Sequence, residues 1–251
     1  MYKILANTLF LGKDVIYLPD CHSTNQMAME MLKDKKVAEG SVVITDHQTK
    51  GKGQRGNTWE SQEGKNLTFS IILMPRFLDA MDQFYLNMVV SISILEAIDD
   101  ISAGLKVKWP NDIIHQYDGK IAGILIENII SQSKIESAVI GLGLNVNQRY
   151  FQTETATSLS NLSGFDFDKH AIFEKLIQKL EFHYLELKKG NRKSIKDQYL
   201  KNMYRYHEMG DFEDKEKFKG KILGVKEDGR LIIEKDTGSQ NYYAFKEVKF
   251  L

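Results

Sequence analysis

Residues 138–147 read Ala138-Val139-Ile140-Gly141-Leu142-Gly143-Leu144-Asn145-Val146-Asn147. The short apolar run predicts a strand, and along a strand successive side chains point to opposite faces. Leu142, Leu144 and Val146 then share one face, while Gly141, Gly143, Asn145 and Asn147 share the other. One face is made to pack on helices; the other is stripped of side chains beside two amides. Glycine weakens a strand interior, and there it commonly marks close approach of a ligand or a neighbouring backbone. The stretch therefore predicts an α+β fold, with a sheet covered by helices on one side and a ligand trough on the other.

The preceding segments extend that sheet. Lys120-Ile121-Ala122-Gly123-Ile124-Leu125-Ile126-Glu127 is apolar on both faces and predicts a central strand. Tyr117-Asp118-Gly119 joins it to Ile113-Ile114-His115, and Asp-Gly between apolar runs is a hairpin signal. Lys120 begins the strand either as a snorkelling surface lysine or as a cation aimed into a cleft. Leu105-Lys106-Val107-Lys108-Trp109 predicts another strand, ended by Pro110, which cannot donate to a ladder. Asn111 and Asp112 fall at the strand-to-loop transition, where they close a turn or orient polar ligand groups. Residues 83–101 carry apolar side chains at three and four spacing, predicting a long helix laid on the sheet.

Upstream, Val15-Ile16-Tyr17-Leu18, stopped by Pro19, predicts an opening strand. Ser23 with Gln26 three residues later has the form of a capping box, and hydroxyls at a helix start can also receive a polar ligand. Ser41-Val42-Val43-Ile44-Thr45 predicts a strand that delivers the chain into His47-Gln48-Thr49-Lys50-Gly51-Lys52-Gly53-Gln54-Arg55-Gly56-Asn57-Thr58-Trp59. Such a basic glycine-rich stretch is either an exposed turn or, with clustered N–H donors among Lys50, Lys52 and Arg55, an anion site suited to phosphate. The next strand is Leu67 to Met74, so the order is strand, loop, strand. A P-loop needs Gly-Lys-Ser/Thr opening a helix, and a Rossmann fingerprint needs Gly-x-Gly-x-x-Gly after the first strand; neither is present.

Downstream, Asp168 caps a helix with the stripe Phe173, Leu176, Ile177, Leu180, Tyr184 and Leu187, closed by Gly190. A second helix is predicted from about Ser194 to Tyr206. His170 and His183 look solvent-facing or locally satisfied. After Gly210, Phe218 to Val225, Leu231-Ile232-Ile233 and Tyr242 to Val248 predict a β-meander of small-barrel type, divided from the main body as 1–209 and 210–251. So small a unit needs to lean on the main body for stability.

The chain has 251 residues, with Lys+Arg 34 and Asp+Glu 34, so no global field draws it to nucleic acid or anionic lipid. Cys21 is the single cysteine, which excludes an intrachain disulfide framework and suits a reducing cytoplasm. Met1–Asn7 lacks an apolar leader, and no run approaches about 18 apolar residues. A cytoplasmic protein without membrane association is expected.

Taken in order, Ser23-Thr24-Asn25, Gln48, Gly51-Lys52-Gly53-Gln54-Arg55-Gly56 with Trp59, Lys108-Trp109-Pro110-Asn111-Asp112, Lys120 to Glu127, and Gly141-Leu142-Gly143-Leu144-Asn145 resemble the biotin protein ligase family. The resemblance covers essentially the whole chain. It implies a central mixed β-sheet with flanking helices, as in class II aminoacyl-tRNA synthetases, and a C-terminal SH3-like barrel. It begins at the catalytic domain, implying a monofunctional ligase without specific DNA binding.

The implied reaction joins biotin to Mg-ATP as biotinyl-5′-AMP, then passes biotin to a lysine of a biotin carboxyl carrier domain. Homodimerisation is left open. By the same resemblance Lys120 is catalytic, between the biotin carboxyl and the α-phosphate. Ser23, Thr24, Asn25, Gln48, Lys52, Gly53, Gln54, Lys120, Gly123, Gly141 and Gly143 are implied to line the biotin site. Gly51, Lys52, Gln54, Arg55, Gly56, Trp59, Asn111, Lys120 and Asn145 are implied to hold ATP, with Asn145 also beside Mg2+. The family's usual loop has arginine where this chain has Lys52 and Gln54. Arg55 then takes part of that role, or the adenylate is held less tightly. A lipoate ligase and a non-enzymatic ligase-like binding protein are the alternatives.

Overall fold

A computed structural model describes Leu5 and residues 7–251; the rest of the Met1–Asn7 stretch and the Arg55 side chain lie outside the described residues. The glycine-bearing strand, β7, runs Lys134–Leu144 at the centre of a seven-stranded sheet. Its neighbours are β3 (Leu67–Leu73) and β6 (Gly119–Ser131), both antiparallel to it. Beyond β3 lie β2 (Val42–Gln48) and β1 (Val15–Cys21), and beyond β6 lie β5 (Asp112–His115) and β4 (Leu105–Lys108). Only the β1–β2 pair is parallel, so the sheet is mixed.

One sheet face is covered by α2 (Phe84–Ile98) and, behind it, by α4 (Lys169–Lys188) and α5 (Arg192–Lys201). Val42, Ile44, Phe69, Ile71, Ile140, Leu142 and Leu144 supply that face and are fully or nearly fully buried. Fourteen of the fifteen residues of α2 are buried, because the helix lies between the sheet and other helices instead of on the surface. The exception is Glu96, which pairs with Lys179 at 3.0 Å and with His183 at 3.1 Å. Burial pushes the Glu96 carboxyl up, but Lys179 and His183 outweigh it and hold the group below the usual carboxylate range. His183 is thus a buried partner of a distant helix, not the solvent-facing or locally satisfied residue expected. His170 does pair locally, with Glu174 at 3.5 Å.

On the opposite face α1 (Thr24–Lys33) lies across the sheet, with Ala28 packed on Val43, Ile72 and Val139. Each aliphatic side chain so buried contributes about 1.5–3 kcal/mol. The helix begins at Ser23 as expected, but the Ser23 side chain makes no capping hydrogen bond, so the Ser23–Gln26 capping box is not formed. β1 runs on through Pro19 to Cys21, which an edge strand tolerates because an unpaired position loses nothing by lacking an N–H.

Asp168 caps α4 through the His170 N–H at 2.8 Å, and Gly190 follows it with φ +90°, both as expected. α5 stops at Lys201, short of the expected Tyr206, and residues 202–204 instead bond along β4, with Val107 N–H donating to the Asn202 carbonyl and Tyr204 N–H to the Val107 carbonyl. A short helix, α3 (Leu159–Ser163), was not anticipated; Ser158 caps it.

The C-terminal strands are β8 (Met209–Glu213), β9 (Lys217–Val225), β10 (Leu231–Lys235), β11 (Gln240–Tyr243) and β12 (Lys249–Phe250). They form one antiparallel sheet in the order β11-β10-β9-β8-β12, a meander whose last strand returns beside the first. Of the expected strand over 242–248 only Tyr242 and Tyr243 are in a strand, at the end of β11; a turn follows, β12 begins beyond it at Lys249, and β8 was not anticipated. Phe212, Ile222, Val225, Leu231 and Ile233 belong to the same apolar cluster as α2 and α5, so the small sheet does lean on the main body. Among the described residues no helix is long and apolar enough to cross a membrane.

Candidate active site

Residues directly opposite one another on paired strands point to the same side of a sheet. The register places Ser70, Gly141 and Leu125 in one row, and Thr68, Gly143, Gly123 and Asp112 in the next. These rows continue the face that α1 covers further along, where Ile72 opposes Val139. Past the start of α1 the cover ends, and the glycines form an open floor. A Cβ at Gly141 would come within 2.1 Å of Asn25 Oδ1, and one at Gly143 within 2.3 Å of the Trp59 indole. The close approach expected from the glycines is made in this structure by those two side chains. β7 ends at Leu144, so Asn145 and Asn147 do not simply continue the trough. Asn145 lines the cavity, whereas Asn147 turns away to bond Phe167 and Ser160.

Lys120 reaches the glycine side through an irregularity. Three residues separate it from Gly123, and strict alternation would send the two to opposite faces. In the pairing with β5, Ile113 opposes Ala122 but Ile114 opposes Lys120, so Ile121 is an extra residue and the alternation is reset. The Lys120 Nζ lies 2.7 Å from Asp112 Oδ1 and 5.5 Å from the centre of the Trp59 ring. Asp112 opens β5 instead of closing a turn; the turn is Trp109-Pro110-Asn111, between Lys108 and its partner Asp112. Asn111 is buried there, bonding the Ile124 carbonyl at 2.7 Å.

At the other end of the floor the first turn of α1 meets the end of β2. Thr24 N–H donates to Gln48 Oε1 at 2.8 Å, and the Thr24 hydroxyl lies 3.2 Å from the same oxygen. Asn25 Nδ2 donates to Glu127 Oε2 at 2.9 Å and to the Leu125 carbonyl at 3.3 Å. Ser70 Oγ, fully buried, lies 2.6 Å from Asn25 Oδ1 and 2.8 Å from Thr24 Oγ1.

The basic stretch leaves β2 and returns on itself. Trp59 N–H donates to the Gly51 carbonyl at 3.0 Å, Lys52 bridges Thr58, and Gln54–Gly56 makes a short 3-10 turn. This carries the indole down onto Gly143 and Gly123. Lys52 Nζ reaches Gln26 Oε1 at 3.3 Å on the surface.

Together these parts enclose a cavity of about 850 Å³. Ser23, Thr24, Asn25, Gln48, Lys52, Gly53, Gln54 and Gly56 line it, as do Trp59, Asn111, Lys120, Gly123, Gly141, Gly143 and Asn145. Gly51 stands at the neck of the loop, where a Cβ would strike the Trp59 carbonyl at 2.5 Å, and does not line the cavity. The expected ATP contact of the Arg55 side chain lies outside the described residues. Asn145 Oδ1 and Trp59 Nε1 are buried without a hydrogen-bond partner among the described residues.

Several contributors escaped sequence reasoning. The segment from Phe151 to Ala156 joins the wall because Lys120 N–H donates to the Thr155 carbonyl at 2.7 Å and Thr157 N–H to the Lys120 carbonyl at 2.9 Å. Phe245, from beyond β11, lines the cavity and stands edge-on to Trp109, whose Nε1 donates to the Gly229 carbonyl at 2.8 Å. Neither carried a local signal in the sequence.

Residues 17–145 match the model of the biotin/lipoate A/B protein ligase family. The bifunctional ligase/repressor BirA of Bacillus spizizenii is 31% identical over 252 residues, covering 94% of this chain and 74% of that protein. The biotin–[acetyl-CoA-carboxylase] ligase of Mycobacterium tuberculosis is 28% identical, covering 67% of this chain and 63% of its own. Among solved structures, the biotin protein ligase of Aquifex aeolicus in complex with biotin and ATP superimposes with a TM-score of 0.78 at 29% identity, over 95% of this chain and 100% of that one. The chain belongs to the biotin/lipoate A/B protein ligase family.

Proposed function

We propose that the chain is a biotin protein ligase that activates biotin with ATP and transfers it to a lysine of a biotin carboxyl carrier domain. In the first step a biotin carboxylate oxygen attacks the α-phosphorus, the bond to the bridging β-phosphate oxygen breaks, and pyrophosphate leaves. In the second the lysine amine attacks the acyl carbon, the acyl–phosphate bond breaks, AMP leaves, and the amine loses a proton.

A carboxylate meeting a triphosphate is anion against anion, so the barrier is largely electrostatic and positional. The observation that carries the reading is Lys120, held on the glycine side by the β6 bulge between the Thr24–Gln48 end and the Asn111–Asn145 end. An ammonium has three donors. Asp112 forms an ion pair with it at 2.7 Å and steadies the group, leaving donors for the two substrates. Ser23, Thr24, Asn25 and Gln48 then serve the biotin head, and Gly123, Gly141 and Gly143 its flat wall. Gly51 to Gly56 with Trp59 closes over both substrates and excludes water from the mixed anhydride. The separate five-stranded antiparallel sheet, which begins at Met209, supports reading residues 210–251 as an SH3-like unit beside a catalytic domain of 1–209.

Mg2+ accompanies ATP in this scheme. The orphaned, buried Asn145 Oδ1 is an oxygen of the type that ion accepts, and no cluster of three acidic, histidine or cysteine side chains stands near it among the described residues. The ion would therefore be held chiefly by nucleotide phosphates, where it offsets their charge.

Pyrophosphate release from ATP, measured with biotin and then with lipoate, tests the reading. Release with biotin alone is expected; release only with lipoate, or with neither, overturns it. Lys120→Ala should lower adenylate formation by about a thousandfold or more while leaving the fold intact. Undiminished pyrophosphate release in that variant would remove Lys120 from the mechanism.

A further inference from the structure

We infer that Ser70 and Glu127, neither of which lines the cavity, are positioning residues that act through Asn25 to fix the hydrogen-bond polarity of the Thr24 hydroxyl beside Gln48, so that the site selects a cyclic urea. The inference rests on the biotin ligase reading and deepens it.

The polarity follows from counting protons. Glu127 accepts from Asn25 Nδ2 at 2.9 Å, and the Leu125 carbonyl accepts from the same nitrogen, so the Asn25 amide is held with Oδ1 toward Ser70. An amide oxygen can only accept, so the single Ser70 proton goes to it across 2.6 Å. The 2.8 Å separation between Ser70 Oγ and Thr24 Oγ1 then needs a proton that only Thr24 can supply. Its competing acceptor, Gln48 Oε1 at 3.2 Å, also belongs to the protein. On either path the Thr24 proton points inward, and the hydroxyl offers the cavity a lone pair. Gln48 Oε1 is committed to the Thr24 N–H, which leaves Nε2 as the donor end. An acceptor beside a donor complements a urea, whose N–H donates and whose carbonyl accepts. A dithiolane ring has neither group and would leave both unpaired.

Gly141 belongs to the same device. Asn25 can stand between Ser70 and Glu127 only because position 141 has no Cβ.

Calorimetric titration of the full chain with biotin, and with biotin methylated at a ureido nitrogen, tests the relay, alongside the KM for ATP at saturating biotin. Wild type should prefer biotin over the methylated compound by roughly tenfold or more. Glu127→Lys, which puts a donor where an acceptor stands, should weaken biotin binding about tenfold and narrow that preference, with the KM for ATP within about twofold of wild type. Glu127→Gln can still accept from Asn25 and should retain both affinity and preference. Ser70→Ala leaves the Thr24 hydroxyl only the longer path to Gln48 at 3.2 Å and should narrow the preference less than Glu127→Lys does. If Glu127→Lys keeps wild-type affinity and preference, or if biotin and ATP are weakened alike, the relay is overturned. A wild-type chain that binds no biotin overturns the proposed function and the relay together.

Discussion

The same face of the same sheet is used in two opposite ways. Under α1, Val43, Ile72 and Val139 meet Ala28 and the surface is closed and apolar. One row on from Ile72 and Val139, Ser70 and Gly141 lie against Asn25, and in the row after that Thr68 and Gly143 present a hydroxyl and bare backbone where the surface opens into the cavity. Nothing in the strand geometry changes between the two halves. The difference is side-chain volume together with where α1 begins, and it shows that a binding floor is made by withholding packing as much as by adding polar groups.

Filling the floor should break the contrast with the largest effect. In Gly143→Val the new Cβ would fall 2.3 Å from the Trp59 indole. That ring sits on a surface hairpin and can swing aside, so the fold should survive with a small loss of melting temperature. The branched side chain would still occupy the floor, and the KM for biotin should rise by roughly a hundredfold, the cost of losing close contact along a flat ligand. An unchanged KM would mean that the ligand lies elsewhere.

The mirror experiment is Val139→Ala, on the closed half of the face. Removing two methyl groups from a site with no exposure should cost about 2 kcal/mol of stability. Neither substrate's KM should move by more than about twofold, since the site is covered by α1. A substrate effect comparable to that of Gly143→Val would show that the two halves are coupled.

Much of this contrast could be read from alternation alone. The opposed faces of β7, the hairpin at Asp118-Gly119, the buried stripe of α4 and its Asp168 cap all follow from local periodicity and turn chemistry. The position of Lys120 could not be read that way, because the bulge at Ile121 shows only once β5 is paired. Ser70 gave no signal either: it is one serine in an apolar strand, and its meaning comes from Asn25 and Thr24, 45 and 46 residues away. His183 was misread for a related reason, since its partner Glu96 lies on a separate helix. The capping box at Ser23 does not form, and the first free N–H of α1, that of Thr24, is satisfied across the sheet by Gln48.

The smallest expected effect lies on the helix-covered side of the sheet, near the end of β2. Asp46 accepts from the Tyr17 hydroxyl at 2.6 Å and pairs with Lys169, next to the start of α4, at 3.2 Å. Burial pushes the carboxyl up, but Tyr17 and Lys169 outweigh it and hold it below the usual carboxylate range. A depressed carboxylate stabilises the fold above its unfolded pKa, near 4, and that contribution is lost as pH falls through the folded value. About a third of the Asp46 side chain is exposed, so screening limits the contribution to a few tenths of a kcal/mol, about 1 °C in melting temperature for a chain of this size. Tyr17→Phe should therefore melt slightly below wild type at pH 7, and the gap should close as the pH is lowered below about 4. The Gly143 floor contains no part of this pair, so the KM for biotin at pH 7 should not change in Tyr17→Phe. A melting gap of the same size at every pH would mean that the Tyr17 hydroxyl acts independently of the Asp46 charge.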